Sequence, residues 1–354
     1  MEKIIFIASY PNKKNEKDGM YQRIKAVDQS FSNIQRRYIE ISFTKYLNRK
    51  VEKRNKIVIE KINFFVGFFY ILNVLCQAKY IYVHTMGNAL RVFPIYFFHK
   101  NIITDVHGIL PEEIKYYSTR NYIDKSCRVI VYTFIEWIIL RYSRYVVVVS
   151  KVMKTHFNKK YKVRSNLIVI PIFDLMEPLQ NMLKKDKNVY IYAGGVHKWQ
   201  NIDKMLSVIK LLLVKKPGTK VTILTNRIQY FREKMMQKKI PMEYIELDCV
   251  KKEDLINYYE CAMFGFVLRD DNPVNRVACP TKLVEYMNYG VIPIVSNPFL
   301  GDFFDYGYRY VEIENILNTN NINFTTIINR NWEVIKMLND EALKNMDFLV
   351  KLIG

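Results

Sequence analysis

Short apolar runs alternate with helix-length segments along almost the whole chain, and few folds accept that alternation. Residues 4–8, 80–84, 102–106 and 145–150 are rich in Ile, Val and Tyr and predict buried strands. Longer periodic segments such as 122–142 lie between several of them, and 167–170 predicts a further strand ahead of Pro171. This is the pattern of a parallel sheet with helices on both faces. The stretch 171–188 loses the periodicity, turns polar and predicts a linker. A second series then begins, with strands expected at 189–193, 220–224, 244–247, 264–268 and 291–296 and helices at 202–214, 231–238, 252–259 and 281–289. A chain of 354 residues is also too long for one ordinary core. The expected organisation is therefore two α/β domains, 1–174 and 175–330, with a helical tail, 331–354, packing back across them. Open sheets of this kind bind ligands at the carboxyl ends of their strands, which predicts a two-substrate cleft.

Composition narrows the function classes. Half the residues are hydrophobic and 14% aromatic, which excludes a disordered chain. Lys and Arg number 54 against 34 Asp and Glu, a net charge of +20. Such a surface favours polyanions: nucleic acid, anionic lipid or a phosphorylated substrate. The abundance of Lys, Ile, Asn and Tyr accounts for part of that charge as coding bias. No helix-turn-helix, zinc-finger or RNP-like string is present, so no nucleic-acid partner is expected. Cys76, Cys127, Cys249, Cys261 and Cys279 follow no paired spacing, which fits a reducing cytoplasm. The opening MEKIIFIASYP is too short in apolar residues for an export signal and predicts a first strand. The longest apolar stretch, INFFVGFFYILNVLC at 62–76, falls short of the ~20 residues that span a bilayer. It predicts a buried or partly lipid-facing helix. Lys50, Lys53, Arg54 and Lys56 just upstream read as a solvated charged turn or as contacts to an anionic leaflet.

Two stretches carry chemistry. In YIYAGGVHKWQNIDKML a strand ends at Gly194-Gly195 and a helix follows. Glycines there let a phosphate approach the backbone, with His197 and Lys198 in the connecting loop; a plain tight turn is the simpler alternative. In LRDDNPVNRVACPTKLVEYM a strand closes at Leu268, and a polar loop carries Arg269, Asp270, Asp271 and Arg276. Pro280 suits the first helical position, so the amides of Thr281, Lys282 and Leu283 would point toward an anion. Glu285 can accept two hydrogen bonds from vicinal hydroxyls such as those of a ribose, or it is a first-turn acid favoured by the helix dipole.

The second stretch, from Pro-Thr-Lys-Leu through Glu-Tyr-Met to Gly-Val-Ile-Pro-Ile-Val, resembles the donor-site segment of GT-B glycosyltransferases of the retaining family 4 type. The strand ending in Gly-Gly sits where that family has its diphosphate loop. TDVHG at 104–108, followed by ILPEE, is similar to the family's strand-end Asp-x-His-Gly, and SYPNKKNEKDGMYQRI resembles its glycine-containing first loop. The resemblance implies two Rossmann-like domains. It implies that Glu285 holds the nucleotide ribose and that the amides of Thr281, Lys282 and Leu283 meet the diphosphate. Lys198 and Arg269 would neutralise the leaving group, Gly195 would admit the phosphate, and Val250, beside Cys249, would lie next to the base. Two departures stand out. Val277 replaces a frequent second glutamate, leaving the sugar hydroxyls to the backbone near Cys279 or to Asp271 and Asn275. Val196 and Gln200 occupy the usual cation positions, so Lys198, Arg269, Arg276 or Lys282 must substitute.

In the first half the resemblance places His107 against the transferred sugar or its phosphate, with Asp105 orienting or charging it; a core histidine in a β–α turn is the alternative. Glu112 and Glu113 would contact the acceptor or simply favour the helix dipole. Gly19 and Arg23 would border the diphosphate or acceptor, or belong to an exposed loop. The implied activity is transfer of a hexose-type residue from a UDP- or GDP-sugar to a saccharide or polyprenyl-diphosphate-linked acceptor, as in capsule or O-antigen assembly. Retention of configuration and no bound metal or other cofactor are expected. The expected location is the cytoplasm, peripheral on the anionic inner face of the membrane. A sugar-nucleotide 2-epimerase of the same fold and a basic nucleic-acid-binding protein are the rival readings.

Overall fold

A computed structural model describes residues 3–12, 19–172, 185–319 and 322–354. They cluster into two compact units, one formed by Met1–Phe173 with Asp340–Gly354 and one by Asp174–Asn339. The stretch expected to join the halves lies, at 173–184, outside the described residues, as does 13–18 of the opening loop.

The first unit runs β1 (Ile4–Ile7), α1 (Gly19–Ser30), β2 (Arg36–Ser42), β3 (Lys50–Arg54), β4 (Ile57–Asn63), α2 (Phe64–Cys76), β5 (Tyr80–His84), α3 (Met86–Val92), β6 (Ile102–Val106), α4 (Leu110–Tyr117), α5 (Tyr122–Tyr142), β7 (Tyr145–Val148), α6 (Lys151–Lys160) and β8 (Asn166–Val169). Its sheet has the order β3-β4-β2-β1-β5-β6-β7-β8. Every pairing is parallel except β3 with β4. The β2–β4 sector was not expected from the sequence. Lys50, Lys53 and Arg54, read as a charged turn, lie on the fully exposed β3, where charge deters edge-to-edge pairing. Asn63 caps α2, its side chain accepting from the amides of Phe65 and Val66. Phe6, Tyr38 and Tyr82 pack the inner sheet, Phe6 and Tyr38 stacked at 4.8 Å. The Asp28 carboxylate on α1 takes Arg36 at 2.5 and 2.8 Å and the Tyr38 hydroxyl at 2.8 Å. These bonds fix α1 against β2.

The second unit runs β9 (Asp186–Ala193), α7 (Ile202–Lys215), β10 (Lys220–Leu224), α8 (Ile228–Gln237), β11 (Ile245–Asp248), α9 (Leu255–Cys261), β12 (Ala262–Val267), α10 (Pro273–Val277), α11 (Thr281–Asn288), β13 (Ile292–Val295), β14 (Val311–Glu312) and α12 (Phe324–Ile353). The six strands are parallel in the order β11-β10-β9-β12-β13-β14. The reversal on either side of β9 makes its carboxyl end a topological switch point, where open α/β sheets leave room for a ligand. Lys185, just ahead of β9, donates to the carbonyls of Tyr259, Ala262 and Tyr289 at 2.6–2.9 Å. Burial pulls its ammonium down to about 7. It ties the start of β9 to the junction of α9 and β12 and to the end of α11. The helix α12 begins in this unit and, from Asp340, belongs to the first, where Ala342, Met346, Leu349 and Ile353 enter the β-sheet core.

Candidate functional site

At the switch point β9 gives way to Gly194-Gly195. Across from it, α11 starts at Thr281 with Pro280 as the capping residue rather than the first helical one. The Pro280 carbonyl accepts from the amides of Leu283 (2.9 Å) and Val284 (3.2 Å). The Leu283 amide is therefore engaged, contrary to the expectation that it faces an anion. The amides of Thr281 and Lys282 precede the first intrahelical bond and are the ones at the helix opening. One aromatic residue of the helix, Tyr286, holds α11 in place. Tyr286 lies where a Cβ on Gly265 would clash with its ring, and its hydroxyl accepts from the Ala193 amide at 3.0 Å. The lock works only because β12 carries glycine at that point.

This lock brings Lys282 over the end of β9. Its Nζ sits 3.6 Å from the centroid of the Tyr192 ring and donates to Gln200 Oε1 at 3.2 Å. A Cβ on Gly194 would lie 2.8 Å from that ammonium. Burial, followed by the positive charge of Arg269, holds Lys282 well below the usual lysine range. Among the described residues no carboxylate lies within ion-pair distance of it. The Gly195 carbonyl accepts the Tyr192 hydroxyl, and a Cβ on Gly195 would meet only His197, at 3.5 Å. The steric requirement for glycine thus falls on Gly194.

The surrounding loops are cross-tied. Lys198 is exposed on the turn 198–200, beside the stacked rings of His197 and Trp199 (4.5 Å). Asn201, in the left-handed region, donates to Asp270 at 2.8 Å. Arg269 donates to Asn275 Oδ1 at 3.3 Å, while buried Asn275 donates to the Asp270 carbonyl at 2.9 Å. Arg276 forms a two-point pair with Asp271 at 2.5 and 2.7 Å. Asp271, Asn275 and Arg276 therefore brace the loop that presents Arg269. Val250 is half-buried just past β11, beside exposed Cys249. Glu285 is 8% exposed, and its Oε2 accepts the hydroxyl of buried Tyr259 at 3.0 Å. Burial and then the Glu285 charge push the Tyr259 hydroxyl well above its ordinary range, so it remains a donor. Tyr192, Tyr259 and Gly265 were not singled out in the sequence.

In the first unit Asp105 is fully buried at the end of β6. Arg23 Nε lies 3.0 Å from both its oxygens and Nη2 2.8 Å from Oδ1. Arg23 Nη1 donates to the Ile170 carbonyl at 3.0 Å. The exposed-loop reading of Arg23 is overturned: it is buried in α1, which Gly19 opens. Tyr82 adds its hydroxyl at 3.3 Å, and His107 Nε2 and His84 Nδ1 each stand 3.4 Å from Asp105 Oδ2. Burial would raise the Asp105 carboxyl, but Arg23 and then His107 outweigh it and hold the group well below its usual range. Burial lowers His84 and keeps it neutral. His84 was missed because its strand reads as plain core. The residue after it, Thr85, adopts φ 71°, a strained conformation for a β-branched side chain, and donates its amide to the Asp105 carbonyl at 2.9 Å.

His84, Asp105 and His107 could offer ligand atoms within 4.8 Å of one another to a metal ion. Arg23 already occupies both Asp105 oxygens, so a metal there would have to displace a guanidinium. The donor set fits a positioned histidine better than a cation site. Beyond His107, Gly108 leaves room for the Glu113 carboxylate, which a Cβ at 108 would strike. Glu112 turns inward instead, to Lys160 at 2.7 Å, and Lys160 also holds Glu136 at 2.6 Å. His156 and then Lys160 lower the Glu112 carboxyl to about 2 against the opposing effect of burial. Glu112 is thus a structural acid, and Glu113 is the half-buried one beside the strand end.

No protein-family model matches the chain, and no curated protein matches it in sequence. Solved structures do match it. Sucrose-phosphate synthase from Thermosynechococcus elongatus superposes with a TM-score of 0.72 at 12% identity, covering 99% of this chain and 98% of that one. The UDP-forming trehalose-phosphate synthase of Burkholderia vietnamiensis gives 0.66 at 9% identity over 100% and 98%. Anabaena HepE in complex with UDP and glucose gives 0.66 at 12% identity over 100% and 99%. At such identities the likeness establishes the fold: the chain has the GT-B architecture of these proteins, with two predominantly parallel sheets flanked by helices.

Proposed function

We propose that the protein is a nucleotide-sugar-dependent glycosyltransferase. The observation that carries this reading is Lys282: a desolvated ammonium without a carboxylate partner, set over Gly194 at the opening of α11. A diphosphate placed there would meet Lys282, Arg269 and the amides of Thr281 and Lys282, with Glu285 one turn deeper for the ribose hydroxyls. Lys198, on the exposed rim, would give the phosphates a more distant, screened attraction. Val250 would flank the base.

In the reaction the bond between the anomeric carbon and the diphosphate oxygen breaks, and the acceptor oxygen bonds to that carbon. The acceptor's proton passes to the departing phosphate in the retaining course favoured here. The cations and amides stabilise the negative charge that develops on the leaving group, so the reading calls for no bound metal. His107, its ring set by Asp105, would contact the sugar, and Glu113 the acceptor. One structural relative is a UDP-forming synthase and another is a complex with UDP and glucose, which favours a UDP-sugar over a GDP-sugar. The basic surface supports a polyprenyl-diphosphate-linked saccharide as acceptor, at the inner face of a membrane in surface polysaccharide synthesis.

Calorimetry with a panel of UDP- and GDP-sugars, with products followed by mass spectrometry, tests the proposal. Tight binding of one donor with slow release of its free sugar is expected. Conversion to an isomer without acceptor would favour the epimerase reading, and absence of any nucleotide binding would overturn both.

A further inference from the structure

The first half of α5 is unusual for a helix in a folded domain. From Tyr122 to Phe134 not one residue is buried, although the stretch includes Tyr122, Ile123, Ile130, Val131 and Phe134. Ile123, Cys127, Ile130, Phe134 and Trp137 recur at steps of four and three and form one exposed apolar stripe. Burial begins only at Ile135. The neighbouring α2 repeats the pattern. Gly67 lets that helix sit close on Ile62 of β4, with Ile71 and Leu75 inward, which turns Phe65 (70% exposed) and Phe69 (83%) outward. Ring contacts run unbroken from Phe43 through Phe64 and Phe68 to Phe69. The turn Phe93–Phe97 packs against both helices and leads to Phe98, 77% exposed. Right-handed crossovers in one direction place α2, α3 and α5 on the same side of the sheet.

We propose that this face of the first unit inserts into an anionic lipid bilayer, with α5 and α2 lying in the plane of the headgroups. The inference deepens the reading above and rests on its membrane-linked acceptor. Charge decides between lipid and a second copy of the chain. Arg141 lies over Trp137 at 5.5 Å, Arg91 over Phe43 at 5.8 Å and Arg49 over Tyr70 at 4.4 Å. The nearby acids are already paired, Asp124 with Arg120 and Arg128, and Glu60 with Arg37. A two-fold contact would set this basic face against itself, whereas anionic headgroups would neutralise it while the aromatic rings enter the acyl boundary. No described helix is long and apolar enough to cross a membrane, which fits attachment in the plane.

The test is sedimentation of the full chain with vesicles of phosphatidylglycerol and phosphatidylethanolamine, and with phosphatidylcholine alone. Binding is expected to the anionic vesicles and to be weakened, but not abolished, by high salt, because inserted aromatics are insensitive to screening. Phe65→Ser with Phe69→Ser, and separately Ile130→Ser with Phe134→Ser, should each lower partitioning about tenfold or more. In a Trp199→Phe, Trp332→Phe background, Trp137 emission should shift to the blue and be quenched by brominated lipid. Equal binding to phosphatidylcholine, full binding by both double variants, an unmoved Trp137 spectrum, or a dimer that the variants dissociate would each overturn the proposal. Nucleotide-sugar binding, measured on the same samples, separates the two readings. Vesicle binding without donor binding leaves this surface standing and removes the transferase reading, and the reverse result removes the surface alone.

Discussion

Both units bury a positive charge at the end of a central strand, and they treat it in opposite ways. In the first, Arg23 meets Asp105 through two nitrogens, and its third donates to the carbonyls of Ile170 and Pro171. In the second, Lys282 has an aromatic face and a neutral amide oxygen, but no carboxylate at ion-pair distance among the described residues. A closed pair fixes geometry and leaves no charge for a ligand. An open cation costs the fold some stability and keeps its charge for an anion that arrives later. The first arrangement stands beside His107; in the proposed reading the second keeps its charge for a phosphate.

The widest separation between the two should appear in stability. Arg23→Met leaves the Asp105 carboxylate buried beside two histidines and should cost about 3–5 kcal/mol, read as a fall in the denaturation midpoint. Asp105→Asn should destabilise similarly, by stranding the guanidinium. Lys282→Met should leave the midpoint unchanged or raise it, since it exchanges a poorly solvated ammonium for an apolar chain of similar length. If Arg23→Met and Lys282→Met cost the fold equally, the contrast is not real.

Ligand binding should reverse the order. Lys282→Met removes a charge-assisted contact of about 1.5–3 kcal/mol, so affinity for the nucleotide diphosphate should drop roughly 10- to 150-fold in calorimetry. A variant that binds as well as the parent would move the leaving-group cation to Arg269 or Lys198.

A smaller, more diagnostic effect concerns protons. The Lys282 ammonium is held below its unfolded range, so between its folded and unfolded pKa values the unfolded chain binds more protons. The destabilisation this group causes is therefore full below its folded pKa, is relieved as pH rises across that window, and is absent above the unfolded value. A bound dianion favours the charged form and should draw a proton in. Binding enthalpies in buffers of different ionisation enthalpy should reveal net uptake, lost in Lys282→Met. Equal enthalpies across buffers would mean that the ammonium is already charged in the free protein.

How much of this was legible in the sequence follows from what each feature depends on. The strands β1, β5, β6 and β7 and the helix α5 appear as uninterrupted apolar or periodic runs, because both faces of a parallel sheet are covered. The strands β2, β3 and β4 lack that signature: β3 is an exposed edge bearing Lys50, Lys53 and Arg54, and the others mix Arg, Glu and Lys with Ile. The α11 segment was legible because Pro280, Thr281, Lys282 and Glu285 are close in sequence. The partners Tyr192 and Tyr259 were not, since they arrive from β9 and α9 and have the composition of ordinary core. His84 was hidden for the same reason. It meets Asp105 only through the β5–β6 register.

The two adjacent glycines at the end of β9 give the smallest effect and the sharpest geometrical one. Sequence reasoning favoured Gly195 as the point of phosphate approach, whereas the contacts assign the tighter constraint to Gly194. A methyl group there would stand 2.8 Å from Lys282 Nζ and 3.0 Å from Cε, the far end of a flexible side chain. The side chain can give way, but the backbone at 194 has φ 157°, so Gly194→Ala is also strained and should cost more than about 1 kcal/mol, while the ammonium is pushed off Tyr192 and out of line with the amides of Thr281 and Lys282. Gly195→Ala meets only His197 carbons and nitrogen at 3.5 Å or more and should leave Lys282 where it is. Affinity should then fall several-fold for Gly194→Ala, and this loss should vanish in a Lys282→Met background. If the two effects add in the double variant, Gly194 acts on the phosphate directly and not through the lysine it accommodates.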